Sequence, residues 1–531
     1  MEIIYRIFFF DNKRWVFGSL LFALILLSPI FVLVFNFFSG STSTLQYIVD
    51  NLLLDYTFNT IYLITITSFF ALLLGIIPAW AVSNYNFFGR SFFDIVLYLP
   101  LAIPSYIMGF TYIDILSYTG PIQSFLRDHA PFLASFFNKD YLQIEVLGIL
   151  LGLALYPYIY TASRISFSLT GSNYINVSKN LGLSNFQTFY KVILPLSRPA
   201  IFSGLFLVIM EVLNEYGAVK YFGVNTFTTG IFRSWFSFGD VNGAIQLACI
   251  LLLIVLCFFA LDRISLKKSK FYYQKNTQTN KLSKIGRSKS YIAIMFCSIP
   301  FLFGFIIPFL FILNNTLESI SITNFDKVIK LTANTVYVSS ASSLIIIFVA
   351  LFFLFVERIS KTKINTYISS LISLGYALPG AIIGLGIILL FSKYSLVGTF
   401  YVLFFAYLIR FLAVAKSPIK SSLDKQPVTI DDTARNLGLG PANLLRRLHL
   451  PINKFALISA FVVTFIDVMK ELPITLILRP FNFDTLATQT YEFAVEEMIP
   501  LSAIYSLVII TLGSVMLLIL RKFIDKQINV S

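Results

Sequence analysis

Along most of the chain, apolar residues follow one another with neither the alternation of a half-buried strand nor the stripe of a soluble amphipathic helix. Twelve runs stand out, at roughly 15–37, 58–82, 92–117, 143–163, 199–219, 243–262, 291–313, 334–356, 367–392, 396–415, 455–477 and 502–520. A membrane-spanning helix needs about 20 mostly apolar residues, so each run is long enough to cross. The pattern predicts an all-α polytopic membrane protein. The first run follows Arg6, Lys13 and Arg14, exceeds the apolar core of a secretory signal, and is not followed by a clear small-residue cleavage site. It reads as a membrane anchor.

Composition agrees with the pattern. Apolar residues make up 57% of the 531 and charged residues 12%, against about 25% charged in ordinary soluble chains. The net charge of +14 is unevenly placed. Segment 263–290 carries Arg263, Lys267, Lys268, Lys270, Lys275, Lys281, Lys284, Arg287 and Lys289 and no acid; the N-terminus and the tail (Arg521, Lys522, Lys526) are basic too. Twelve alternating spans put all of these on one side and send Asp50, Asp55, Asp128, Asp140, Glu318, Asp326, Asp484, Glu492, Glu496 and Glu497 to the other. Lys and Arg mark cytoplasmic loops, so both termini are expected in the cytoplasm and the charge reads as orientation, with no nucleic acid among the partners. Cys249, Cys257 and Cys297 lie within apolar runs without ligand-like spacing, and His129 and His449 are the only histidines.

Two polar stretches interrupt this pattern in the same way. Residues 180–195 read NLGLSNFQTFYKVILP and residues 436–451 read NLGLGPANLLRRLHLP, and in each a Gly (Gly182, Gly438) precedes a Pro (Pro195, Pro451) by 13 residues. Other blocks repeat as well: FNTIYLITIT (58–67) with ANTVYVSSAS (333–342), and Pro104 with Pro379 in LPLAIPSYIMG and SLGYALPGAIIG. The chain therefore divides into a first half, 1–262, a basic linker, 263–290, and a second half, 291–531. Six spans per half make the repeat parallel and place both polar stretches on the same face of the membrane. Each has a helix-forming segment, a Gly stop, a short amphipathic segment and a Pro that opens the next run. The expected product is a helix–turn–helix on the membrane surface, joined to a span, within loops 165–198 and 417–454.

These paired stretches resemble the EAA motif of ATP-binding-cassette importer permeases, the loop by which such permeases dock into their ATPase subunit. The Gly, the Leu residues and the spacing to Pro match. The leading Glu of the motif is replaced by Asn176 and by Asp432, in Asn176-Val177-Ser178 and Asp432-Thr433-Ala434. The resemblance implies that Asn176, Ser178, Gly182, Pro195, Asp432, Ala434, Gly438 and Pro451 form the coupling loops. The chain contains no GxxxxGK[ST] phosphate loop, so ATP is expected on two copies of a partner ATPase and no cofactor in this chain.

The spans after the polar stretches carry Glu211 and Glu215, and Asp467 and Glu471. Read as continuous helices, they put each pair on one face. Ionisable groups within spans are costly and usually face a cavity or a partner. Two readings stay open: the four line a pathway or gate, or they pair with Lys470, Lys220 or Arg410 and lock helices together. A hard ferric ion suits carboxylate oxygens, but whether any of the four meets a metal is left open.

The following stretches, NTFTTGIFRSW (225–235) and ELPITLILRPFNFDTLATQTYEFA (471–494), fall on the opposite side. The second in particular resembles that of fused two-half ferric iron permeases, whose relatives carry thiamine, sulfate, polyamines or phosphonates. The resemblance implies a bacterial inner-membrane permease, not itself an enzyme, that takes up ferric iron from an extracytoplasmic binding protein. A thiamine or other small-solute permease of the same plan, and an ion-coupled secondary transporter with titrating carboxylates, are the alternatives.

Overall fold

The computed structural model describes residues 13–38, 43–169, 171–267, 282–360 and 362–530. Helix dominates; the strand content among the described residues is one parallel pair, Tyr85–Asn86 with Ser283–Lys284. Nine of the described helices are long and apolar enough to cross a membrane, and three helix pairs meet that test together across a bend. With each bent pair taken as one span there are twelve, in the order that the apolar runs predict. Arg6 and residues 268–281 of the basic linker lie outside the described residues.

The bends correct the reading of 92–117 and 367–392 as plain spans. Arg90–Ala102 meets Ser105–His129 at 92°, and Ile364–Ala377 meets Gly380–Tyr394 at 109°. Both breaks fall at the matched prolines. Pyrrolidine crowds the preceding residue out of the helical region, and Ile103 and Leu378 are extended, with ψ of 113° and 128°. Pro104 and Pro379 then stand at the start of the next helix. A third bend, of 78°, separates Pro441–Ile452 from Lys454–Met469.

Two compact units result, and they do not follow chain order. One holds the helix Lys13–Asn36 with Phe325–Thr488 and the last helix from Val515 onward. There Trp15 meets Phe355 edge-on at 5.7 Å and Phe22 stacks on Phe353 at 5.7 Å. The other unit holds the helices between Ser43 and Asn324 with Gln489–Ser514. In it the segment Arg287–Ser319 packs beside elements of the first half: the Tyr112 hydroxyl donates to the Phe303 carbonyl, and the Asn315 amide donates to Asp114 at 3.3 Å. The opening span of each half thus sits in the compact unit built from the rest of the other half. Within the second unit, Leu53–Asn84 and Ile144–Leu169 approach closely because small residues line the contact. A Cβ on Gly75 would come within 2.9 Å of Ile159, and one on Gly152 within 2.7 Å of Phe70.

Candidate functional site

The two polar stretches fold alike, residue for residue, at an offset of 256. Gly171–Asn180 and Thr429–Asn436 end at equivalent positions. The N–H of Leu183 then donates to the Ser178 carbonyl at 3.0 Å, and the N–H of Leu439 to the Ala434 carbonyl at 3.1 Å, which is Schellman closure of the helix end. Gly182 and Gly438 take left-handed φ values of 79° and 81°. A Cβ on either would meet nothing within 4 Å, so backbone conformation and not space requires glycine there. Four-residue helices follow at Asn185–Thr188, opened by a Ser184–Gln187 capping box, and at Pro441–Leu444, opened by Pro. A π turn comes next in each, Phe189–Ile193 and Leu445–His449. Pro195 and Pro451 stand just past those π turns.

Of the motif residues, Ser178 and Ala434 are buried, while Asn176 and Asp432 are exposed. The third residue of the triplet packs and the first faces outward. The anchors beneath the two elements differ. Under the first, Trp80 lies 4.9 Å from Phe189 and 5.6 Å from Phe167. Under the second, Ala434 and Leu444 join Phe355 and Ile359 in a small apolar core, with Trp15, Leu439, Leu445 and Leu448 packed against it. Beside that core Arg358 reaches Asp431 at 2.6 Å and also donates to the Leu423 carbonyl at 2.7 Å. The buried His449 ring stands 3.0 Å from the other oxygen of Asp431. His449 lies ahead of the 78° bend, in the arm Pro441–Ile452, and burial pushes its imidazole below the ordinary value against the pull of Asp431. Sequence reasoning fixed on Asp432 and missed Asp431, Arg358 and His449. The available signal was the tandem acid in TIDDTARN together with an arginine closing an apolar run. The outward faces differ too: Leu181, Phe186 and Tyr190 are exposed on the first element, where the second exposes Leu437, Ala442 and Arg446.

The carboxylates do not form the two helix faces expected of continuous helices. Leu194–Asn214 ends before Glu215, which is extended, and Lys454–Met469 ends before Glu471. Glu215 accepts from the Ser105 hydroxyl and, at 2.9 Å, from the N–H of Ala218, thereby capping the short helix Gly217–Tyr221. Glu471 repeats the device: it accepts from the N–H of Ile474 at 3.2 Å at the head of Pro473–Leu478. It also pairs with the buried Arg410 at 3.3 Å, and Arg410 donates to the Leu378 carbonyl at 2.7 Å. Asp467 pairs with Lys470 at 3.0 Å. Glu211 is half-buried one turn before Glu215. Among the described residues no three His, Cys, Asp or Glu side chains gather as a metal cage.

The chain beyond each break is pinned by a second repeated device. The Asn59 amide donates to the Asn225 carbonyl at 3.0 Å, and the Asn334 amide to the Asp484 carbonyl at 3.0 Å. The hydroxyls of Thr60 and Thr335 accept from the N–H groups of Phe227 and Leu486. The next helices are capped by Thr226 with Thr229 and by Thr485 with Thr488. These residues lie in the blocks that the sequence repeat had matched, FNT with ANT, and in the loops after the carboxylates. Beside the first loop is a cavity of about 180 Å³ lined by Lys220, Arg233, Tyr216 and Phe232 among others.

Up to twelve spans among the described residues, two matched polar elements each run into a span, and two matched broken helices define a duplicated membrane-transport core. Comparison with known proteins agrees. Residues 71–270 match the family model described as binding-protein-dependent transport system inner membrane component. The chain is 26% identical to the Fe(3+)-transport system permease protein FbpB 2 of Haemophilus influenzae, over 88% of this chain and 90% of that protein. It is 30% identical to the sulfate transport system permease protein CysT of Salmonella typhimurium, over 39% of this chain and 73% of the relative. It is 29% identical to the molybdenum transport system permease protein ModB of Haemophilus influenzae, over 37% and 83%. The chain belongs to the family of binding-protein-dependent transport system inner membrane components, the ATP-binding-cassette permeases.

Proposed function

We propose that this chain is the membrane subunit of an ATP-driven importer for ferric iron. Two cytoplasmic ATPase copies dock on the two Gly–Pro elements, hydrolysis takes place in those copies, and an extracytoplasmic binding protein delivers the iron. Both termini and the basic linker then lie in the cytoplasm, and ATP-driven closure of the ATPases moves the elements with the spans that they enter. The carrying observation is the likeness to an Fe(3+)-transport permease along nearly the whole of both chains, where the sulfate and molybdenum permeases match over less than half of this one. In this reading Asn176, Ser178, Gly182, Pro195, Asp432, Ala434, Gly438 and Pro451 serve coupling. Glu211, Glu215, Asp467 and Glu471 serve the gate as caps and ion pairs that set the helix breaks.

An oxyanion importer is the second reading, and the cavity lined by Lys220 and Arg233 favours it. Uptake of labelled ferric iron by vesicles holding the permease with its ATPase and binding protein, run beside labelled sulfate and molybdate, tests both. Iron entry that needs ATP and stops with Gly438→Pro supports the proposal. Oxyanion entry alone transfers the assignment to the second reading. Uptake that survives Gly438→Pro and follows a proton gradient refutes ATPase coupling altogether.

A further inference from the structure

Where the linker returns to the membrane it encloses a crevice of about 400 Å³. Ser283–Lys284 pairs in parallel with Tyr85–Asn86, and Arg287–Phe301 then rises into the membrane. Its lining is apolar from Ile77, Trp80, Ile292 and Phe296 and cationic from Lys284 and Lys289, and Asn185, first residue of the short helix in the first coupling element, lines it too. Both lysines are exposed, and neither stands within ion-pair distance of a carboxylate among the described residues. The whole stretch 263–290 contains no acid.

We propose that this crevice binds an anionic phospholipid from the leaflet on the side of the coupling elements, with the headgroup phosphate on Lys284 and Lys289 and acyl chain along Trp80, Ile292 and Phe296. The amphipathic build selects the occupant. A free phosphate or nucleotide would leave the apolar wall unused, and Ile292 is 53% exposed on a helix that crosses the membrane. A neutral lipid would leave the two lysines without an anion, although basic residues at this level draw anionic headgroups. The site reaches the coupling element directly, because the ring of Trp80 also lies 4.9 Å from Phe189. Lipid composition is thereby sensed at the first coupling element. The proposal is independent of the cargo.

Trp80 reports occupancy. With Trp15 and Trp235, the only other tryptophans, replaced by Phe, the full-length protein is reconstituted in phosphatidylcholine vesicles. These contain either brominated phosphatidylglycerol or brominated phosphatidylcholine at the same mole fraction. The brominated anionic lipid is expected to quench Trp80 more strongly. Each lysine contributes roughly fivefold to that preference, so Lys284→Gln/Lys289→Gln lowers it about 25-fold. High salt acting on the unsubstituted lysines lowers it too, which keeps the test independent of how the double variant folds. Equal quenching by both lipids, or a preference unmoved by both the double variant and salt, overturns the proposal. So does a preference abolished by millimolar inorganic phosphate, which marks a site for the free anion.

Discussion

Replacing Arg358 by Met tests how the second coupling element is held. The guanidinium reaches Asp431 at 2.6 Å, with the two side chains only 11% and 5% exposed, and it ties down the Leu423 carbonyl as well. Removing one member of a buried pair leaves the other as an uncompensated charge, at about 3–5 kcal/mol. Met keeps much of the side-chain volume, so the electrostatic loss dominates. The penalty falls on local docking of residues 429–449, since the spans are held by their own packing. Amide hydrogen exchange in detergent micelles reads it directly: protection across the element should drop by roughly two to three and a half orders of magnitude. Adding Asp431→Asn should recover more than half of the loss, because the stranded charge disappears. A drop below tenfold, the size of an exposed pair, or no recovery in the double variant, refutes buried-charge anchoring.

Three further outcomes follow from the same geometry. Gly438→Ala and Gly182→Ala should each cost about 1–2 kcal/mol of local stability, because a Cβ meets no neighbour but left-handed backbone is strained; exchange at Leu439 and Leu183 measures it, and Asn in place of Ala should cost less. Glu471→Gln should strand the buried Arg410 and lower the thermal midpoint in detergent, with a cost on the order of 3 kcal/mol, and Arg410→Met added to it should restore part of the loss. Burial lowers the His449 value in the fold below its unfolded one, so its contribution is complete above the ordinary value of about 6.5. Docking of residues 429–449, faced there by Asp431 and Arg358, should loosen as pH falls from that value through the lower folded one, and exchange of His449→Phe should lose this dependence.

Much of the architecture was legible because membrane burial writes itself as uninterrupted apolar length. The spans, the repeat, and the Gly stops at 182 and 438 all follow from residue type and spacing. The breaks at Pro104 and Pro379 were half legible: the two prolines were matched as repeat positions, but hydropathy stays high through them, so length alone reads a straight span. Glu215 and Glu471 failed for a related reason. Each caps the short helix that follows it through a local N–H, of Ala218 or of Ile474, but the long-range partner that holds the carboxylate, Ser105 for one and Arg410 for the other, is not written beside it in the chain. The Asp431–Arg358–His449 cluster joins residues 18 to 91 positions apart, and no periodicity within one element carries that information. The exchange of opening spans between the compact units is invisible for the same reason, since a run of apolar residues does not state which neighbour it packs on.

Comparing equivalent polar nodes in the two units tells what the duplication preserved. Asp94 is buried in the short helix Arg90–Val96, and Arg164 grips both of its oxygens, one at 2.6 Å. At the matching position of the other unit stands Ser369, and the group it meets is Lys416, buried and held by the hydroxyls of Ser369 and Ser373 at 2.8 Å each and by the Ser369 carbonyl. An acid clasped by an arginine in one unit thus corresponds to a lysine clasped by hydroxyls in the other. A role that depended on the sign of the charge, such as attracting a cargo ion, would not survive that exchange. A role that depends on every buried polar group being bonded would, because an unbonded one costs about 1–3 kcal/mol wherever it sits. The same holds for the glutamate caps: Ser105 in one unit corresponds to Gly380 in the other, and Arg410 supplies the contact that a hydroxyl supplies to Glu215. What recurs across the repeat is the broken helix with a glutamate capping the short helix beyond it, and the side chains packed against that glutamate differ.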